Sequence, residues 1–131
     1  MTQEINWDLL KDAAIKAMQK AYAPYSHFPV GAAALVDDGR IISGCNVENA
    51  SYGLGLCAEC SLVSELTMKQ AGKLVAFTCV DKNGNLLMPC GRCRQLLFEH
   101  SADDMVLETA SGIKTIAEVL PDAFGPKDLD R

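Results

Sequence analysis

At 131 residues, with 49% apolar and 22% charged side chains, the chain has the size and make-up of one globular domain spanning residues 1–131 and not of a disordered segment. A formal net charge of −5 argues against nucleic acid or an anionic membrane surface as partner, since both are repelled by an acidic protein. No run approaches the roughly 18 to 20 apolar residues of a membrane span. The polar start Met1-Thr2-Gln3-Glu4 lacks the basic-then-apolar pattern of a signal peptide, so a cytoplasmic location is expected. In that compartment six cysteines are expected to be buried thiols or metal ligands and not a disulfide framework.

Trp7, Leu10, Ala14, Met18 and Ala21 recur at helical spacing behind Asn6, a suitable N-cap, and Ala23-Pro24 predicts the helix end. Residues 31–36 and 40–46 read as strands joined by the turn Asp37-Asp38-Gly39, a hairpin. A loop through Gly53 and Gly55 leads to a second helix starting near Cys57 or Ala58, with Ala58, Leu62 and Leu66 on one face and Gly72 as its stop. Residues 73–81 read as a buried strand, followed by the Asn83-Gly84 turn. Pro89-Cys90 opens a third helix with Cys93, Leu96, Leu97 and His100 along one stripe. A strand over 105–109, a short strand or turn over 112–114 and a short helix from Thr115 to Leu120, stopped by Pro121, complete the pattern. Two strand–helix–strand units predict an α/β domain with a mixed sheet and helices packed on its faces. Cys45 and Cys79, in apolar strands, read as core thiols. His27 and His100 read as polar packing residues.

The chemistry-bearing residues stand where the second and third helices begin: Cys57-Ala58-Glu59 and Pro89-Cys90-Gly91-Arg92-Cys93. The positive end of a helix dipole favours a thiolate. Two such ends could aim three thiolates at one cation, and three protein ligands would leave the fourth tetrahedral position of a zinc site to water. Zinc with neutral ligands lowers the pKa of that water to about 7; three thiolates weaken the effect, and the helix ends offset part of their charge. Positions i and i+2 of a regular helix do not share a face. Cys57 and Glu59 therefore converge only if the metal lies beyond the helix end, where the carboxylate serves as proton carrier and not as ligand.

These motifs resemble the all-cysteine form of the zinc deaminase signature, as found in the small homotetrameric cytidine deaminases. Tyr25-Ser26-His27-Phe28-Pro29-Val30-Gly31-Ala32 is similar to that family's segment before the first strand. Asn46-Val47-Glu48-Asn49-Ala50-Ser51-Tyr52 is similar to its ribose-binding segment, and Leu120-Pro121-Asp122-Ala123-Phe124-Gly125-Pro126 to its C-terminal motif. Together they span about residues 22 to 129 in order.

The resemblance implies a three-layer αβα fold with a mixed, about five-stranded sheet. It implies a cytoplasmic homotetramer of pyrimidine salvage that deaminates cytidine and deoxycytidine with a zinc-bound hydroxide. It further implies that Cys57, Cys90 and Cys93 hold Zn2+ and that Glu59 moves the protons. Asn46 and Glu48 would hold the ribose, with Val47 turned into the core. The Ala58 amide would bind the pyrimidine oxygen, Phe28 would pack near the base, and Phe124 would cap the site of a neighbouring subunit. The substrate class is a small nucleoside: neither nucleic acid nor membrane is an expected partner, and no Lys/Arg cluster suggests a phosphate clamp.

One position departs from the family. An arginine commonly follows the glutamate and offsets thiolate charge; here it is Cys60, and helix dipoles with Arg92 or Arg94 are expected to compensate. Cys60 also opens a rival reading. Cys57-x-x-Cys60 and Cys90-x-x-Cys93 could form a closed, structural four-cysteine zinc site, although 29 residues separate the pairs against the usual spacing of about 15 to 20. A thiol–disulfide module built on Cys90-Gly91-Arg92-Cys93 and a nucleoside-antibiotic deaminase are further alternatives. The segment Asn46-Val47-Glu48 favours a plain nucleoside.

Overall fold

The structure, a computed structural model, describes residues 4–129; Met1 to Gln3 of the polar N-terminal stretch and Asp130-Arg131 lie outside the described residues. Helix α1 (Trp7–Met18) is capped by Asn6, whose side chain accepts from the Leu9 N–H. A hairpin follows, β1 (Gly31–Val36) with β2 (Ile41–Cys45), turning at Gly39 with φ 92°. A 3₁₀ turn (Tyr52–Leu54) leads into α2 (Ala58–Met68), and β3 (Leu74–Val80) returns to the sheet. Helix α3 (Gly91–His100) runs directly into β4 (Ser101–Thr109), which pairs with β5 (Gly112–Thr115). Helix α4 (Ile116–Val119) is held by a Thr115–Glu118 capping box, and a 3₁₀ turn (Pro126–Leu129) ends the described chain.

The five strands form one mixed sheet in the order β2-β1-β3-β4-β5, in which only β3 and β4 are parallel neighbours. Alternation along β1 divides the core. Ala33 and Leu35 face α1 with Leu10, Ala14 and Met18. Ala32, Ala34 and Val36 face Leu62, Leu66 and Leu97 of α2 and α3. The result is the expected αβα layering, with one helix on one side and three on the other. Small residues set how closely the layers approach. A Cβ at Gly31 would lie 2.0 Å from the Ala14 carbonyl, and one at Gly44 would lie 2.5 Å from the Leu62 nitrogen. Each helix backbone therefore rests directly on its strand.

Several expectations need correction. Helix α1 stops at Met18, well before Ala23-Pro24, and Ala21 lies beyond it. The chain there bends so that Tyr22 pairs with Val47, donating to the Asn46 carbonyl and accepting from the Glu48 N–H. That tertiary pairing ends the helix before proline can. Helix α2 ends at Met68 with Lys69 as its C-cap, and Gln70, with φ 49°, takes the left-handed position expected of Gly72. Gly72 instead sits against the Asp37 carboxylate, where a Cβ would clash. Strand β4 starts at Ser101 and not at 105; its register jumps from Leu74↔Ser101 to Ala76↔Val106, and the exposed Asp103-Asp104 lie within that irregularity, ahead of the strand expected over 105–109. Cys79 is buried, but Cys45, at the end of edge strand β2, is only half-buried.

Candidate active site

Strands β2 and β3 are both antiparallel to β1, so they run parallel to each other. The helices that follow them, α2 and α3, therefore begin at the same end of the sheet, where α/β folds place their ligands. Cys57 is the N-cap of α2 and Cys90 the N-cap of α3, both in extended backbone. N-caps are usually Ser, Thr, Asp or Asn, whose oxygen binds the helix's own free amides. Neither cysteine makes such a bond, so both sulfurs are left for another partner.

The extended backbone at Cys57 carries its sulfur beyond the helix end, which resolves the i, i+2 problem. Donor atoms of Cys57, Glu59 and Cys93 lie within 4.8 Å of one another. Cys90 falls outside that trio. It is exposed and lines the same cleft. Cys60, inside the first turn of α2, is outside the trio as well. Among the described residues the converging donors are thus two sulfurs and a carboxylate, with Cys60 and Cys90 both outside that group.

Glu59 is 5% exposed, and burial pushes its carboxyl above the ordinary 4.5. Burial also pushes the Cys93 thiol up, with Glu59 and Cys57 adding to it. A buried cluster of acidic groups is costly to ionise unless a cation sits among them. Sulfur-rich donors favour zinc over magnesium or calcium, so the donor set fits zinc.

Arg92 Nη1 lies 3.9 Å from Cys57 Sγ, and its guanidinium is held protonated by Cys60 first, then by Cys57 and Cys93. Arg94 turns away, to the carbonyls of Pro89 and Val119. Of the two arginines expected to offset thiolate charge, Arg92 is the one placed beside the sulfurs.

The cleft in front of these groups holds about 420 Å³ and is lined by Phe28, Asn46, Glu48 and Ala58 as well as the cysteines and Glu59. Asn46 bridges to the loop before β1, donating to the Phe28 carbonyl at 3.0 Å and accepting from the Val30 N–H at 2.8 Å. Glu48 accepts from the Tyr25 and Ser26 amides at 3.0 and 3.1 Å and from the Ser26 hydroxyl. Val47, expected in the core, is 39% exposed and lines the cleft, because its backbone is spent on bridges to Tyr22 and Leu56. Phe124 stands apart: its ring is 58% exposed and does not line this cleft.

Residues 6–109 match the family model for the cytidine and deoxycytidylate deaminase zinc-binding region. The chain belongs to this deaminase family. As a member it is a zinc-dependent deaminase, and its likeness extends over nearly the whole chain. A cytidine deaminase of Mycobacterium tuberculosis is 52% identical over 128 residues, covering 98% of this chain and 96% of that protein. One of Halalkalibacterium halodurans is 41% identical, covering 93% of this chain and 96% of that protein. The crystal structure of the cytidine deaminase from Mycobacterium leprae superposes with a TM-score of 0.88 at 57% identity, covering 91% of this chain and all of that one.

Sequence reasoning missed some contributors to this deaminase site. Leu87 and Met88 form part of the cleft wall, and nothing in their spacing marks them. Ser26 was legible only as part of a motif; that it holds Glu48 follows from the left-handed backbone of His27 (φ 57°), which folds the loop over that carboxylate.

Proposed function

We propose that this chain is a single catalytic domain that hydrolyses cytidine and deoxycytidine to uridine and deoxyuridine with release of ammonia, in cytoplasmic pyrimidine salvage. The observation that carries the reading is the meeting of Cys57, Glu59 and Cys93 at the mouths of two helices within one cleft. In this reading Cys57, Cys90 and Cys93 hold the metal. Zinc, when bound, supplies the Lewis acidity that makes water nucleophilic near neutral pH. Glu59 takes a proton from the attacking water and gives it to ring N3 as the oxygen bonds to C4, then carries the remaining proton of that oxygen to the exocyclic amine, which leaves as ammonia when its bond to C4 breaks and the C4 carbonyl forms. A carboxyl raised by burial suits that exchange.

The residual hydrogen-bonding capacity of the cleft supports a ribose partner. A carboxylate offers about four lone-pair sites, and Glu48 uses three on Tyr25 and Ser26. The amide nitrogen of Asn46 uses one of its two N–H groups on Phe28. One carboxylate site on Glu48 and one amide N–H on Asn46 remain, the complement of a sugar hydroxyl. Ala58, first residue of α2, contributes an N–H that the helix itself leaves free, suited to the pyrimidine oxygen, and Phe28 packs against the base. No Lys or Arg is among the described residues lining the cleft, which favours a nucleoside over a nucleotide and agrees with the acidic net charge.

A homotetramer is supported by the apolar surface around the cleft. Tyr22, Val47 and Leu56 are joined by backbone bridges, and Tyr52 and Leu54, in the turn that leads to Leu56, are 85% and 64% exposed. Contiguous exposed apolar area of this kind marks association surfaces. In the tetramer Phe124 caps the site of a neighbouring subunit.

Metal content tests the ligand set. Cys57→Ser, Cys90→Ser and Cys93→Ser should each lose most bound zinc, while Cys60→Ser keeps one zinc per chain by elemental analysis. Loss of zinc from Cys60→Ser would restore the four-cysteine reading.

A further inference from the structure

Arg94 and Gln95 follow Cys93 in α3, and neither lines the cleft. Both reach to the C-terminal segment. Arg94 Nη1 donates to the Val119 carbonyl at 3.0 Å, and Gln95 Nε2 donates to the Phe124 carbonyl at 2.7 Å. Between these two points Asp122 adopts φ 52°, a left-handed backbone that a non-glycine residue keeps only where its surroundings impose it. Just beyond, Gly125 packs against the Phe98 ring so closely that a Cβ would lie 3.0 Å from it, and the Gly125 N–H donates to the Asp128 carboxylate at 2.8 Å.

The segment is thus fastened to α3 at Val119, Phe124 and Gly125 in succession. Its one large aromatic side chain, Phe124, is nevertheless left 58% exposed. A backbone tied down on both sides of an uncovered ring is arranged to present that ring outward. The Gln95 bond is the only one of these ties made to Phe124 itself. We propose that Gln95 is a positioning residue for catalysis in the neighbouring subunit: it fixes the backbone from which Phe124 projects over that subunit's cleft. The proposal rests on the reading of Phe124 given above. One turn of α3 then serves two sites, its own through Cys93 and the neighbour's through Gln95.

Steady-state kinetics on cytidine, with zinc counted per chain, tests this with Gln95→Met, which keeps the length of the side chain and removes the donor. Gln95→Lys, which keeps an N–H donor, and Phe124→Ala complete the set. Losing one neutral hydrogen bond at an ordering point should raise KM by about threefold to tenfold in Gln95→Met, with kcat and zinc content as in wild type. Gln95→Lys should lie close to wild type. Gln95→Met combined with Phe124→Ala should be no worse than Phe124→Ala alone, since residues acting through one another are not additive. A wild-type KM in Gln95→Met while Phe124→Ala raises KM would overturn the role of Gln95 and leave that of Phe124 standing. Unchanged KM in Phe124→Ala would remove the reading of Phe124, and the proposal with it. Additive effects in the double variant, or a fall in zinc content or thermal midpoint without a KM change, would reduce Gln95 to a structural residue.

Discussion

A cysteine at the N-cap forgoes the oxygen-to-amide bond that makes Ser, Thr, Asp and Asn the preferred caps, a loss of about 1 kcal/mol for a typical cap. Two helices of this chain begin that way, at Cys57 and Cys90, and both beginnings open onto one cleft. Glu59 adds a buried carboxyl within reach of the sulfurs. Burial alone holds its proton to higher pH than an ordinary glutamate does. Beside the cleft, Glu48 shows the opposite effect. The Ser26 hydroxyl, then the backbone N–H groups of Ser26 and Tyr25, hold its carboxyl below the ordinary 4.5. A carboxyl with a lowered folded-state pKa stabilises the fold above its unfolded pKa and loses that contribution as pH falls through the folded value. Ser26→Ala should therefore lower the thermal midpoint at pH 7, and the gap from wild type should close as pH is taken below 4.5. A gap that persists undiminished at low pH would show that Ser26 does not act through Glu48.

At the scale of elements, the site exists because β2 and β3 run the same way and each hands the chain to a helix. The close seat of α2 on β2 depends on Gly44, where any side chain would press on the Leu62 nitrogen at 2.5 Å and the Ala58 carbonyl at 2.6 Å. Both are backbone atoms and cannot turn aside. Gly44→Val should destabilise the protein by about 3 kcal/mol, the upper part of the usual overpacking range, and should lower zinc affinity by moving the α2 start. Chemical denaturation and chelator competition would measure the two effects. The strand–helix alternation was legible because periodicity is local: 31–36 reads as a strand in the sequence and is one in the structure. What was hidden depended on distant partners. Tyr22 leaves its helix to pair with Val47, and β4 begins at Ser101 because β3 accepts it there despite two aspartates. Gln70 holds the backbone that a glycine was expected to hold, since the helix end is set by the Ala71 N–H to Leu66 carbonyl bond.

For the molecule as a whole, the ordered motifs identify the family, but the sequence could not show that Asn46 and Glu48 spend most of their bonding capacity on the loop carrying Phe28. Nor could spacing alone separate Cys60 from the converging donors. The proposed tetramer makes a separate prediction. Tyr52, the most exposed large apolar side chain among the described residues at 85%, should lie in a subunit contact, so Tyr52→Glu should shift the mass by light scattering from tetramer towards smaller species and raise KM. An unchanged tetramer would place the contact elsewhere. The most direct measurement, however, concerns the reaction: ammonia released from cytidine by wild type and by Glu59→Gln, with zinc counted on both. Turnover should fall by about 10² to 10⁴ while each variant chain keeps one zinc. A Glu59→Gln protein that holds its zinc and still releases ammonia within a few-fold of the wild-type rate would contradict the central role of that carboxyl.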